Sequence, residues 1–408
     1  MLKRSLYATF AVLLALTLSM TVFSQKRSIK SLDDQAVSPG NSQALSPNEE
    51  LVVQTMKEIY KVQARYYWAN GGIFAHLKSL LRERLIDKQL GSGQKYGYDF
   101  YAMHVAASTT SPAKMILTAH PSLYRQGYRS FYMTSDCFIR GADKRGADAN
   151  ENDPVIGECT PTIALEWDRY IALSMRNMVA AQYTYNATSG NGQFGTHDQL
   201  IAADMFTRPF WAGDSRAFHQ NWTVMTTPGD INQAASFKAR SEPRAYRHMG
   251  VSSFYSDETG VVRGADHQGG PAGPTDSAFD FSPSADTAVN ERMAMQMIWT
   301  VYATQRTFVT STSANYASFD QLRHLNLLWI PFEIDRFQGY VYTMTLTPRN
   351  GNVAPKYALS LVPAQYGVTG VRSFYTDESG YIRGGDKHGA PATADDPQIN
   401  PYVFPAGF

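Results

Sequence analysis

SFYMTSDCFIRGADKRGADANENDP (residues 130–154), SFYSDETGVVRGADHQGGPAGPTDS (253–277) and SFYTDESGYIRGGDKHGAPATADDP (373–397) are one stretch written three times. They align without a gap, at offsets of 123 and 120 residues. Arg140, Arg263 and Arg383 coincide, as do Asp143, Asp266 and Asp386, then Gly146, Gly269 and Gly389, then Asp153, Asp276 and Asp396. Agreement at so many positions marks an internal repeat, which has to be settled before any motif is weighed.

Upstream of each copy lies a second repeated feature. Val52, Met56, Ile59, Gln63 and Tyr66 match Ile171, Met175, Met178, Gln182 and Tyr185, and then Ala294, Ile298, Val301, Gln305 and Phe308. Each series has the i, i+4, i+7 spacing of one helix face. Between helix and loop, the third copy shows strand-like runs at Tyr340–Leu346, Tyr357–Val362 and Val371–Tyr375. These alternate and are rich in β-branched and aromatic residues. Glu378-Ser379-Gly380 reads as a tight turn. The pattern predicts an α+β fold of three tandem modules, each one long helix packed on a small antiparallel β-meander. A period of about 120 residues is far longer than a solenoid repeat, so each copy should have its own core. The expected boundaries are 49–157, 158–280 and 281–408.

Residues 1–24 read as a secretory signal peptide: Lys3 and Arg4 precede an apolar run from Tyr7 to about Val22, with Val22-Phe23-Ser24 as the cleavage region. The alternative is an uncleaved anchor, the one expected route to a membrane. Residues 25–48 are rich in Ser, Gln, Asp and Pro and read as a flexible linker. The chain is therefore expected to be exported to the periplasm, the cell surface or the medium. A formal net charge of +1 over 408 residues gives no reason to expect nucleic acid as a partner. In an exported chain, the isolated pair Cys137 and Cys159 is most simply a disulfide.

The Asp loops are the candidate sites. Asp386, Asp395 and Asp396 fall close together among glycines, and a Gly-rich acidic loop can offer calcium both carboxylate and carbonyl oxygens. The first copy offers Asp143, Asp148, Glu151 and Asp153; the second offers only Asp266 and Asp276. The same residues equally suit a solvated turn, where Asp and Gly serve their backbone preferences. The nine His are scattered, with no H-E-x-x-H and no G-x-S-x-G elbow, so no catalytic residue is assigned.

The order of elements resembles the globular part of bacterial type IV pilins and type II secretion pseudopilins: an amphipathic helix with Gln-x-x-aromatic, a Gly-Tyr-rich first strand, then YGVTGVRSFYTDESGYIRGGD. The stretch GADKRGADANENDP is similar to the calcium loop of the major pseudopilin. The apolar assembly helix of that family and its cleavage site have no counterpart here. The resemblance implies a non-enzymatic structural or adhesive protein with protein partners in a surface or secretion assembly. An alternative is an extracellular glycan- or peptide-binding protein.

Overall fold

The computed structural model describes residues 44–399 apart from 71, 107–111, 126–127, 204–219, 313–314, 326–327 and 329–335. The expected signal peptide, and all but the end of the expected linker, lie outside the described residues. The described residues from Asn48 onward form one compact unit.

Three long helices run through it: α1 (Pro47–Ala69), α4 (Thr162–Ala187) and α6 (Thr287–Thr312). Short helices follow each of them: α2 (Leu77–Arg82) and α3 (Lys88–Gly91), then α5 (His197–Ala202), then α7 (Phe319–His324). No described helix is long and apolar enough to cross a membrane. The strands make three antiparallel sheets. The first, in order, is β1 (Gln94–Lys95), β2 (Tyr98–Val105), β3 (Lys114–Pro121), β4 (Ser130–Thr134), β5 (Phe138–Ala142) and β6 (Val155–Glu158). The second is β7 (Gln220–Thr227), β8 (Ser236–Pro243), β9 (Ser253–Asp257) and β10 (Arg263–Ala265). The third is β11 (Arg336–Phe337), β12 (Tyr340–Thr347), β13 (Lys356–Pro363), β14 (Arg372–Asp377) and β15 (Arg383–Asp386).

The expected fold class, three modules each of one long helix on a small antiparallel meander, is thereby corrected. The chain is dominated by three antiparallel sheets of six, four and five described strands, with seven described helices, four of them short. The misreading has physical causes. β1 and β11 are two residues long, below the length at which alternation can be read. Each is turned by a positive-φ pair, Tyr96-Gly97 and Gln338-Gly339. β6 is a four-residue strand directly after the acidic loop that ends at Pro154, beyond the aligned stretch. In the other two copies the place of Val155 is held by isolated bridges, Arg263 to Ala278 and Arg383 to Gln398.

The long helices also pack on one another. The ring of Trp68 on α1 lies 5.4 Å from Trp167 and stacks on Tyr170 at 5.9 Å, both on α4. The Arg292 guanidinium of α6 sits 4.9 Å from the Trp68 ring and pairs with Glu166 of α4. Asn177 donates to Thr300 at 3.1 Å between α4 and α6. Aromatic faces that attract a guanidinium and one another bind the three helices into a common seam.

The apolar stripes explain how each helix seats. The first four members of every stripe are buried, and Tyr66, Tyr185 and Phe308 are half-buried. The buried glutamines close a two-point bond each. Gln63 donates to the Ala75 carbonyl (2.6 Å) and accepts from its amide (2.9 Å). Gln182 does the same with Gly195, and Gln305 with Ala317. A buried amide side chain needs partners on both its oxygen and its nitrogen, and the backbone after each helix supplies both.

A carboxylate near each helix start ties the helix to the edge of the SFY strand. Glu49 accepts from the Arg129 amide and guanidinium (3.0 and 3.3 Å). Glu291 accepts from the amides of Val371 and Arg372 and from Arg372 Nε (2.8, 3.0 and 2.7 Å). Asp168 accepts from the amides of Val251 (2.9 Å) and Ser252 (3.0 Å), with Ser252 where the other copies have arginine.

Candidate functional site: the aspartate loops

The loop after the SFY hairpin is built the same way three times. Its first aspartate accepts from the amide two residues on: Asp143 from Arg145 (2.9 Å), Asp266 from Gln268 (2.8 Å), Asp386 from His388 (3.0 Å). This is the Asx turn, in which a short carboxylate stands in for a backbone carbonyl. It sets Arg145, Gln268 and His388 at φ of +54°, +54° and +51°, each followed by a positive-φ glycine. Two successive residues in the left-handed region need a glycine at one of them, which accounts for Gly146, Gly269 and Gly389.

The second aspartate accepts from the amide three residues back: Asp153 from Asn150 (2.7 Å), Asp276 from Gly273 (2.8 Å), Asp396 from Thr393 (2.7 Å). Each also meets a lysine or histidine side chain of its own loop. Lys144 reaches Asp153 at 3.1 Å, His267 reaches Asp276 at 2.9 Å and Lys387 reaches Asp396 at 2.7 Å. An alanine between the two aspartates, Ala149, Ala272 or Ala392, is buried and seats the loop. Hydrogen bonds given to a carboxylate favour its charged form. The Gly273 amide, with His267, holds Asp276 below the usual carboxylate range. Lys387 and the Thr393 amide do so for Asp396, and the His388 amide for Asp386.

A tyrosine from the preceding strand connection covers each first aspartate. Tyr246 donates to Asp266 at 2.8 Å and Tyr366 reaches both oxygens of Asp386 at 3.1 Å; Tyr124 lies at 3.4 Å from Asp143. Tyr366 also meets His388 Nδ1 at 2.9 Å.

The remaining candidates stand apart from these latches. Asp148 is exposed and meets His120 at 2.8 Å. Glu151 is exposed, 3.6 Å from Lys114. Asp395 is exposed, with its amide toward Thr393 Oγ1. Among the described residues, no group of three or more His, Cys, Asp or Glu could hold a metal ion. The repeated arginines serve the loops from below: Arg263 donates to the Asp276 carbonyl and Arg383 to that of Asp396. Arg140 instead pairs with Asp136, because β6 pairs with β5 in the first copy.

Cys137 and Cys159 are bonded, with Cα atoms 5.2 Å apart. Cys137 has φ +68°, matching Gly260 (+72°) and Gly380 (+75°) in the other copies.

Sequence reasoning missed the loop lysines and histidine and the covering tyrosines. Lys144, His267 and Lys387 stand in the aligned stretches and were legible as repeated basic positions. The tyrosines lie outside those stretches, and the first copy has one residue fewer between tyrosine and SFY strand. No protein-family model, curated protein or solved structure matches this chain.

Proposed function

We propose that the protein is an exported, non-enzymatic structural or adhesive protein in which the aspartate loops are self-contained latches that close each sheet. The observation that carries this reading is the threefold latch: both repeated carboxylates bond their own loop's amides, and the second meets its own loop's lysine or histidine. A calcium ion would have to displace that lysine or histidine, so calcium has no part in the proposal. The disulfide fits an oxidising compartment.

Fractionation of the producing cell tests the proposal. The chain is expected outside the cytoplasm, in the medium or the sheared surface fraction, starting near residue 25 and with no free thiol. Recovery from the cytoplasm with two free thiols would overturn it.

A second reading, binding of an extracellular glycan or peptide, is favoured by the recurring tyrosines over the loops, since a ring with a polar tip suits sugar faces. Tyr366→Ala would weaken capture by a glycan array if this reading holds.

A further inference from the structure

The second copy grips the first through one arginine. Arg247, in the connection from β8 to β9, donates from Nε to the Asp136 carbonyl at 2.9 Å and from Nη2 to the Cys159 carbonyl at 3.3 Å. Its guanidinium lies 4.1 Å from the centre of the Phe138 ring. Glu158 adds a carboxylate at 3.2 Å. The contact is a socket and a plug: the β4–β5 turn of the first copy, ending in an aromatic, receives an arginine carried just after the tyrosine that covers an aspartate loop.

The repeat shows where each half of this contact recurs. At the plug position the three copies have Arg125, Arg247 and Gly367. At the socket position they have Phe138, Val261 and Tyr381. The second and third copies therefore lack both halves of a clamp between them, since Val261 offers no π face and Gly367 no cation. They meet through other groups, such as Asn177 with Thr300 and Arg169 with the Ser282 carbonyl.

One complete pair is left over. Arg125 is exposed beside Leu123, which is 79% exposed. Tyr381 is 53% exposed, at the end of a turn that also carries Asp377 and Glu378. Tyr124 lies 3.4 Å from Asp143, so Arg125 directly follows the corresponding tyrosine, while the shorter first loop does not give it the positive φ of Arg247 and Gly367.

We propose that this chain associates head to tail with further copies of itself, Arg125 of one copy docking on the Tyr381 turn of the next. The carbonyl of Ser379 stands where Asp136 stands in the existing clamp and accepts from the arginine, while the acidic turn attracts it. Plug and socket are different surfaces on different copies of the repeat, so the contact is heterologous. Such a contact extends into a chain unless its rotation closes a ring. The proposal rests on the structural reading above and names its partner.

The test uses the purified, oxidised chain without its first 24 residues, followed by analytical ultracentrifugation over a rising concentration series. Wild type is expected to grow beyond a dimer. Arg125→Glu and Tyr381→Ala, both surface changes checked for unaltered circular dichroism, are each expected to stay monomeric. An equimolar mixture of the two variants has one intact plug and one intact socket, and is expected to give a dimer that grows no further. Wild type that remains monomeric into the hundred-micromolar range, or association that persists in both single variants, would overturn the proposal. Cell fractionation is independent of this outcome, so failure of assembly leaves the surface reading separately decidable.

Discussion

Asp168 is a natural substitution inside the repeat. The equivalent Glu49 and Glu291 each face an arginine, whereas Asp168 faces the side chain of Ser252 and the amides of Val251 and Ser252. Burial penalises its charge more than the Ser252 and Val251 bonds favour it, with Asp266 adding repulsion, and its pKa is pushed up to about 7. An unfolded aspartate titrates near ~3.9. A carboxyl whose folded pKa is raised contributes stability that is complete below the unfolded value and is lost as pH rises through the folded one. Asp168→Asn, which keeps an oxygen to accept both amides, should therefore match wild type near pH 4 and be the more stable protein at pH 8, as read by urea denaturation. Glu49→Gln removes the carboxylate charge beside the nearly buried Arg129, a loss on the order of 3 kcal/mol in the same urea denaturation.

The latches make a second prediction at the same scale. Asp276, Asp386 and Asp396 are held below the usual carboxylate range, so their contribution is present above pH ~4 and disappears as acid protonates them. Because Lys144, His267 and Lys387 already occupy the second aspartates, millimolar calcium or a chelator should leave the melting temperature of the wild type unchanged. A rise of several degrees with calcium would show that the ion replaces Lys144, His267 or Lys387.

At the scale of elements, the β4–β5 hairpin shows what a repeat can and cannot reveal. That Cys137 stands where the other copies have glycine was visible in the alignment, and the positive φ follows from that alone. The aspartates, the glycines and the helix stripes were legible for the same reason: three copies filter chance from constraint. The two-residue edge strands β1 and β11 were not, because pairing at a sheet edge needs only backbone groups. The contacts between copies were illegible too. Trp68, Trp167 and Arg292 do not occupy equivalent positions, so no alignment of copies brings them together.

The disulfide closes a span of 22 residues, an effect of about 3 kcal/mol in the chain-entropy picture. Both Cys137→Gly and Cys137→Ala lose it. The alanine must also hold a Cβ in the left-handed region, so it should be the less stable by about 1 kcal/mol. Chemical denaturation of the two variants side by side checks this, and equal midpoints would mean the turn relaxes once the bond is gone.

For the whole molecule, we expect the three repeated sheets to unfold together. The described contacts place that coupling at the helix seam. Trp68, Trp167 and Tyr170 are almost wholly buried, and Arg292 brings α6 against both of the other long helices. Each helix is also tethered to its own sheet by the carboxylate near its start (Glu49, Asp168 or Glu291), so disorder in one copy reaches the next through this cluster. Wild type should melt in a single transition whose calorimetric and van't Hoff enthalpies agree. Trp68→Ala removes the ring on which α4 and the Arg292 cation both pack, a loss of about 3–5 kcal/mol for a buried aromatic. Because the sheets and their tethers are untouched, the variant should separate into two or more transitions rather than one at lower temperature. Arg292→Met supplies the electrostatic counterpart. Burial already raises the pKa of Glu166 to about 7 against the pull of Arg292, and without the guanidinium the carboxyl would be held neutral to higher pH still. The loss of stability in Arg292→Met should then be small near pH 5 and grow as pH rises through 7, since only the charged form of Glu166 misses its partner. A pH-independent loss would place the value of Arg292 in its packing on Trp68 instead.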